Sequence, residues 1–205
     1  MTEKDNKLTD EQKHKERQQK IKAKVDERVA NATEERGVLV VITGNGKGKS
    51  TSGFGTILRA VGHGLKTGIV QFIKGSKWEC GEMNILKQFP VEHWVMGTGF
   101  TWETQSKETD IAAAKVAWEK TKAMLSDPSI DMVLLDEMTY MVKYGYIDLD
   151  EIIEVLNNRP KMQHVLITGR ACHRRLLELA DTVSEVQPVK HAFKDGIKAQ
   201  KGLDW

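Results

Sequence analysis

Cysteine is scarce in this chain, with Cys80 and Cys172 the only two in 205 residues. Two thiols are too few for a disulfide framework and suit a reducing cytosol, so the expected compartment is the cytoplasm. No apolar run approaches the roughly 18 residues that a membrane span needs. No hydrophobic stretch follows a basic N-terminus either, so neither a membrane partner nor secretion is expected. Charge of one sign is also missing. The 31 basic and 29 acidic residues leave a formal charge of +2, which gives no long-range field for nucleic acid. Large apolar side chains are nearly absent from the first 36 residues, which carry ten Lys/Arg and nine Asp/Glu instead. There is no internal repeat and no low-complexity tract beyond that charged segment.

A chain of 205 residues fits one domain with an extension. The composition places the division at residues 1–36 and 37–205. In the extension, Thr9 and Gln12 have the spacing of a capping box, so a helix is expected to follow. Ile21, Val25 and Val29 fall at i, i+4, i+8 on its one apolar face. That stripe is too thin to anchor in a core. It suits either a solvated, frayed helix or a flap that docks when ligand is bound.

From Gly37 onward strands and helices alternate. The strands expected are Val38–Ile42, Gly68–Ile73, a weaker Val91–Met96, Ile130–Leu135, Val165–Thr168 and a short Val183–Val186. The helices are Ser50–Gly64, with Phe54, Leu58 and Val61 inward, and Thr109–Leu125, with Ile111, Val116, Trp118 and Leu125 inward. Asp148–Asn157, opened by an Asp148/Glu151 capping box, and Arg174–Ala180 follow. Near-continuous apolar strands bounded by helices imply an α/β fold with a mostly parallel sheet covered on both faces.

The strongest chemical signal is the segment Gly44, Asn45, Gly46, Lys47, Gly48, Lys49, Ser50, Thr51, directly after the first strand. Side-chain-free residues let backbone N–H groups converge on phosphate oxygens. A lysine ammonium reaches the terminal phosphates and a hydroxyl such as that of Ser50 can ligate Mg²⁺. The loop departs from G-x-x-x-x-G-K-[ST] in one respect. The ordinary first glycine falls on Thr43, and the actual glycine is Gly44, so the loop is one residue tighter. A structural glycine turn is the bland alternative.

Asp136 and Glu137 end an apolar strand, and in a parallel sheet the carboxyl ends of the strands share one edge with the loop. One carboxylate can hold Mg²⁺ (or Mn²⁺) while the other orients it or acts as a base. Thr168-Gly169-Arg170 ends a later strand on the same edge, which makes Arg170 either a phosphate partner or an ordinary surface arginine. Phe100 and Trp102 stand two apart in a loop rich in Gly and Thr. They either plug the core or form a flat apolar wall for a large planar ligand. The loop and the acidic strand alone leave three functions open: a transferase, a RecA-like or kinase-type ATPase, and a regulatory nucleotide-binding module without turnover.

Several segments together resemble the ATP:corrinoid adenosyltransferases of the cobalamin pathway, in the branch with a phosphate-loop (RecA-like) fold. They are Thr-Gly-Asn-Gly-Lys-Gly-Lys-Ser-Thr (43–51), Arg-Ala-Val-Gly-His-Gly (59–64), Val-Gln-Phe-Ile-Lys-Gly (70–75) and Gly-Phe-Thr-Trp-Glu-Thr-Gln (99–105). Leu-Asp-Glu-Met-Thr-Tyr (135–140), Thr-Gly-Arg (168–170), Pro-Val-Lys-His-Ala-Phe (188–193) and Gly-Ile-Lys-Ala-Gln-Lys-Gly-Leu-Asp-Trp (196–205) complete the set. Residues 75–90 match poorly and carry no site residue over. The resemblance implies ATP and a reduced corrinoid as substrates. The Co(I) of the corrinoid attacks the 5′ carbon of the ribose, and triphosphate leaves. It implies ATP contacts from residues 44–51, Arg59 and Arg170, a metal held by Ser50, Glu137 and Asp136, and catalysis through Lys49, Phe100 and Trp102. The aromatics would crowd the lower face of the corrin ring and disfavour the axial ligand of Co(II). It further implies an electron-donating reductase such as a flavoprotein, a homodimer, and an N-terminal lid.

Overall fold

A computed structural model describes residues 9–75, 80–97 and 106–204. The chain divides into two units, residues 1–35 and 36–205. In the first, helix α1 (Asp10–Asn31) buries none of its residues. Its capping box is formed: the Gln12 N–H donates to Thr9 Oγ1 at 3.2 Å and the Thr9 N–H donates to Gln12 Oε1 at 2.8 Å. Ile21, Val25 and Val29 are exposed along it.

The second unit holds a six-stranded, wholly parallel sheet. Its strands are β1 (Leu39–Thr43), β2 (Thr67–Gly75), β3 (Val91–Gly97), β4 (Met132–Asp136), β5 (His164–Thr168) and β6 (Thr182–Glu185), in the order β3-β2-β4-β5-β1-β6. The helices are α2 (Lys49–Gly62), α3 (Gly81–Leu86), α4 (Lys107–Ser126), α5 (Thr139–Lys143), α6 (Leu149–Asn157) and α7 (Arg174–Leu179). Alternate strand residues feed opposite faces, as the pleat requires. Val133 and Leu135 join Val70, Phe72, Val165 and Ile167 in a cluster with Ala117 and Trp118 of α4, Ile152 and Leu156 of α6 and Leu176 of α7. Leu134 joins Ile42, Ile69 and Leu166 under Phe54 and Ile57 of α2 and Met83 and Leu86 of α3. Burying each of these large side chains contributes on the order of 1.5–3 kcal/mol. Among the described residues no helix is long and apolar enough to cross a membrane.

The expected fold is therefore present, and its differences have local reasons. On α2 the inward residue is Ile57, while Leu58 is 44% exposed. On α4 Trp118 and Leu125 are buried as expected, but Val116 is 51% exposed and Ile111 half-buried. The inner face is built from Asp110, Ala114, Ala117 and Thr121 instead. Thr121 satisfies its hydroxyl on the Ala117 carbonyl at 2.9 Å, so a polar residue serves at a position that apolar periodicity would exclude. Helices α3 and α5 were not foreseen, being only six and five residues long, too short to show a 3.6-residue period. Strand β6 is exposed throughout, as an edge strand can be.

An ion pair ties β6 to β1. The Arg36 guanidinium donates to both Asp181 oxygens at 2.8 and 2.6 Å, and the Leu39 N–H donates to Oδ2 at 2.8 Å. The Arg36 hydrogen bonds, more than the Leu39 N–H, hold the Asp181 carboxyl at about 2. Because the folded state keeps this acid ionised where the unfolded chain would protonate it, its contribution is full above about pH 4. It is lost as pH falls towards about 2. Both partners are partly exposed, which limits the contribution to about 1 kcal/mol. Asp181→Asn should lower the melting temperature at neutral pH by an amount that shrinks steadily between about pH 4 and 2. A gap that persists unchanged at the acid end of such melts would contradict this.

Candidate active site

The parallel sheet brings the carboxyl ends of β1, β4 and β5 to one edge, and there a cleft of about 320 Å³ opens. It is lined by Gly46, Lys47, Gly48, Lys49, Ser50 and Thr51 from the loop and α2, and by Glu137, Tyr140, Arg170, His191 and Asp204. Helix α2 starts at Lys49, so its unpaired N–H groups and its positive end face any anion in the cleft. The tighter loop has a physical cause at Gly44. Its φ is +98°, and a Cβ there would lie 2.5 Å from the Val186 carbonyl oxygen. Only glycine combines that left-handed backbone with so close an approach. The Gly46 N–H then donates to the Val186 carbonyl at 2.7 Å, so the loop is seated against the chain leaving β6.

Lys49 is 8% exposed and its ammonium donates to the Gly46 carbonyl at 2.7 Å. Burial, followed by the Arg170 charge, lowers its pKa, while Glu137 and Asp136 act in the opposite direction. Burial also raises the Tyr140 pKa, with the Glu137 charge adding to the effect. Tyr140 therefore stays a neutral phenol in the cleft.

The two acids at the end of β4 have different places. Glu137 lines the cleft with a positive φ of 62°, and its N–H donates to Thr168 Oγ1 at 3.0 Å. Asp136 is 0% exposed. It accepts from Thr168 Oγ1 at 2.7 Å and from Gln71 Nε2 at 3.2 Å, and Gln71 Oε1 faces His93 Nε2 at 3.0 Å. Burial, then Lys87, lowers the His93 pKa, so this imidazole is neutral and its Nε2–H donates to Gln71. Asp136, expected with Glu137 at the metal, is not among the residues that line the cleft. It sits beneath the cleft and, through Thr168, fixes the strained turn that presents Glu137. Among the described residues, the non-glycine residues with positive φ are Ile73, Glu137 and Ala171. Two of these directly flank the cleft, where strain of about 1–3 kcal/mol each is held by surrounding bonds such as Thr139 Oγ1 to the Arg170 carbonyl at 2.8 Å.

Of the residues expected from the sequence, the structure brings Gly46, Lys47, Gly48, Lys49, Ser50, Thr51, Glu137 and Arg170 to one cleft. Gly44 and Asn45 are not among the residues that line it. Arg59 is exposed and lies ten residues along α2 from Lys49, about 15 Å at the helical rise, so it is not brought to the phosphate site. Phe100 and Trp102 lie outside the described residues. Ser50 and Glu137 are hard oxygen donors, which fits a Mg²⁺ shared with phosphate oxygens and waters. Among the described residues no group of three or more His, Cys, Asp or Glu forms a separate metal cage. Tyr140, His191 and Asp204 were missed as site residues, although each lies inside a segment that carries the resemblance.

Residues 35–205 match the family model described as ATP:corrinoid adenosyltransferase BtuR/CobO/CobP. Residues 1–29 match one described as the N terminal of cob(I)alamin adenosyltransferase. The chain is 59% identical over 195 residues to the corrinoid adenosyltransferase of Escherichia coli strain K12, covering 95% of this chain and 99% of the relative. It is 59% identical, over the same shares, to the Salmonella typhimurium enzyme. It is 51% identical over 197 residues to that of Pseudomonas aeruginosa, covering 95% and 97%.

Proposed function

The chain belongs to the ATP:corrinoid adenosyltransferase family, and from that premise we infer the reaction and the role of each cleft residue. The enzyme transfers the 5′-deoxyadenosyl group of ATP to the Co(I) of a corrinoid and releases inorganic triphosphate. The observation that supports the assignment of residues is the single cleft that joins the phosphate loop, Glu137 and Arg170. The loop amides and Lys49 take the triphosphate, with Lys49 exchanging the Gly46 carbonyl for a phosphate oxygen. The Co(I) electron pair forms the bond to the 5′ carbon, and the C–O bond breaks with its electrons left on the triphosphate. Since Co(I) is already a strong nucleophile, no general base is required. Positioning and charge neutralisation supply the rate.

Mg²⁺, when bound, adds positive charge to the leaving group. Ser50 and Glu137 would hold it, and Asp136, through Thr168, holds the Glu137 backbone in place. Glu137→Gln keeps shape and removes charge. It should raise the Mg²⁺ concentration at half-maximal rate by about tenfold or more, in line with a lost charge-assisted contact. Titration of the rate with Mg²⁺ reads this directly. An unchanged midpoint would take Glu137 out of the metal site.

Phe100 and Trp102 belong to the same proposal as the wall that excludes water from the lower face of the corrin. The exposed stripe of Ile21, Val25 and Val29 suits α1 to a reversible lid role. An electron-donating reductase such as a flavoprotein completes the proposed partners, and the working unit is proposed as a homodimer. The deciding experiment incubates the protein with ATP, Mg²⁺ and chemically reduced cobalamin and identifies the phosphate product. Triphosphate is expected. ADP and phosphate would instead mark the RecA-like or kinase-type ATPase, which no observation favours.

A further inference from the structure

The segment after β6 forms one wall of the cleft. It is fastened to the phosphate loop at several points. The Val186 N–H donates to the Thr43 carbonyl at 2.8 Å, and the Gly46 N–H returns to the Val186 carbonyl. A Cβ on Gly46 would lie 2.8 Å from the Gln187 carbonyl oxygen. Beyond these, Lys47 forms an ion pair with Asp204, and the second Asp204 oxygen accepts the Gln200 N–H at 2.7 Å. The segment therefore keeps a fixed relation to the loop.

Within it, His191 lines the same cleft as Lys47, Lys49 and Ser50. Its Nδ1 accepts the Phe193 N–H at 3.2 Å. That bond fixes the ring and places the proton of the neutral imidazole on Nε2. The remaining ring nitrogen is thus a donor, in a cleft lined by two lysines and a helix N-terminus, where Asp204 is the acid that this segment contributes among the described residues. We propose that His191 is a further substrate-binding residue, whose Nε2–H donates to an oxygen of the triphosphate both in ATP and in the leaving group. The inference rests on the transfer reaction above and extends it. The C-terminal segment supplies part of the anion site, and the close seating of Gly44 and Gly46 is what places that donor.

Two variants separate a ligand contact from a merely structural one. His191→Asn retains an acceptor for the Phe193 N–H but removes the outward donor, and His191→Gln restores reach. The probe is inorganic triphosphate, measured as an inhibitor competing with ATP in the cobalamin reaction. A hydrogen bond to a charged oxygen corresponds to about tenfold or more in affinity. His191→Asn should weaken triphosphate inhibition by that factor while leaving the KM for reduced cobalamin and the melting temperature unchanged, and His191→Gln should recover most of it. Wild-type triphosphate affinity in His191→Asn would overturn the inference. So would parallel losses of melting temperature and affinity in both variants, which would reduce the imidazole to a cap. Products other than triphosphate from the wild-type enzyme would overturn the underlying reaction, a separate readout from the variant comparison.

Discussion

Lys49→Ala is expected to abolish turnover, with a loss of at least about 10²-fold in kcat, the scale of removing one preorganised electrostatic contact. The side chain is nearly buried and its ammonium sits 2.7 Å from the Gly46 carbonyl, within the loop proposed to cradle the phosphates. Its surroundings oppose one another: burial and Arg170 disfavour the cation, whereas Glu137 and Asp136 favour it. A cation held in so little water is worth far more to a departing triphosphate than one in solvent. Lys47 provides the contrast. It is exposed and already paired with Asp204, so Lys47→Ala should cost much less. Alanine favours helix at the first position of α2, and a thermal melt would establish that the Lys49→Ala protein is folded. Near-normal turnover of that folded variant with Co(I) cobalamin would remove the loop from the proposed chemistry.

The parts of the molecule that were legible in the sequence are those with a period or a backbone demand. Runs such as Val133-Leu134-Leu135 had to be buried on both faces, and that requirement alone implied a parallel sheet. The glycines of residues 44–48 marked a loop whose amides can converge on phosphate, and a parallel sheet put Glu137 and Arg170 on the same edge as that loop. What was not legible depends on three-dimensional partners. The face of α4 was misjudged because Asp110 and Thr121 are buried polar residues satisfied by tertiary and local bonds, as in the 3.5 Å contact of the Tyr146 hydroxyl with Asp110. Asp136 and Glu137 are neighbours of like charge. Only Thr168 and Gln71, brought alongside by β5 and β2, make one a buried support and the other a cleft residue. His191 and Asp204 reach the loop from the far end of the chain, and no local pattern encodes that return.

The aromatic pair gives the second large effect, and it discriminates between steps of the reaction. Phe100 and Trp102 stand in the Gly-Phe-Thr-Trp segment that carries the family resemblance, and the proposal gives them the lower face of the corrin ring. Co(II) in water keeps an axial ligand, and two apolar rings at that face would exclude it. Losing the ligand raises the potential at which Co(I) forms. Phe100→Ala or Trp102→Ala should readmit water or a side ligand and leave Co(II) five-coordinate. The expected loss with Co(II) corrinoid and a reductant is about 10²-fold, equivalent to ~120 mV for a one-electron couple at about 59 mV per decade. When Co(I) is supplied directly, that barrier has already been crossed, so the same variants should run close to the wild-type rate. Their affinity for ATP should barely change, because the phosphate contacts proposed above come from other cleft residues, 46–51, Glu137, Arg170 and His191. Absorption spectra of bound Co(II) corrinoid would report the coordination number independently of turnover. Equal losses from Co(II) and Co(I), or a fall in ATP affinity, would contradict the desolvation role and return both rings to the core or the nucleotide pocket.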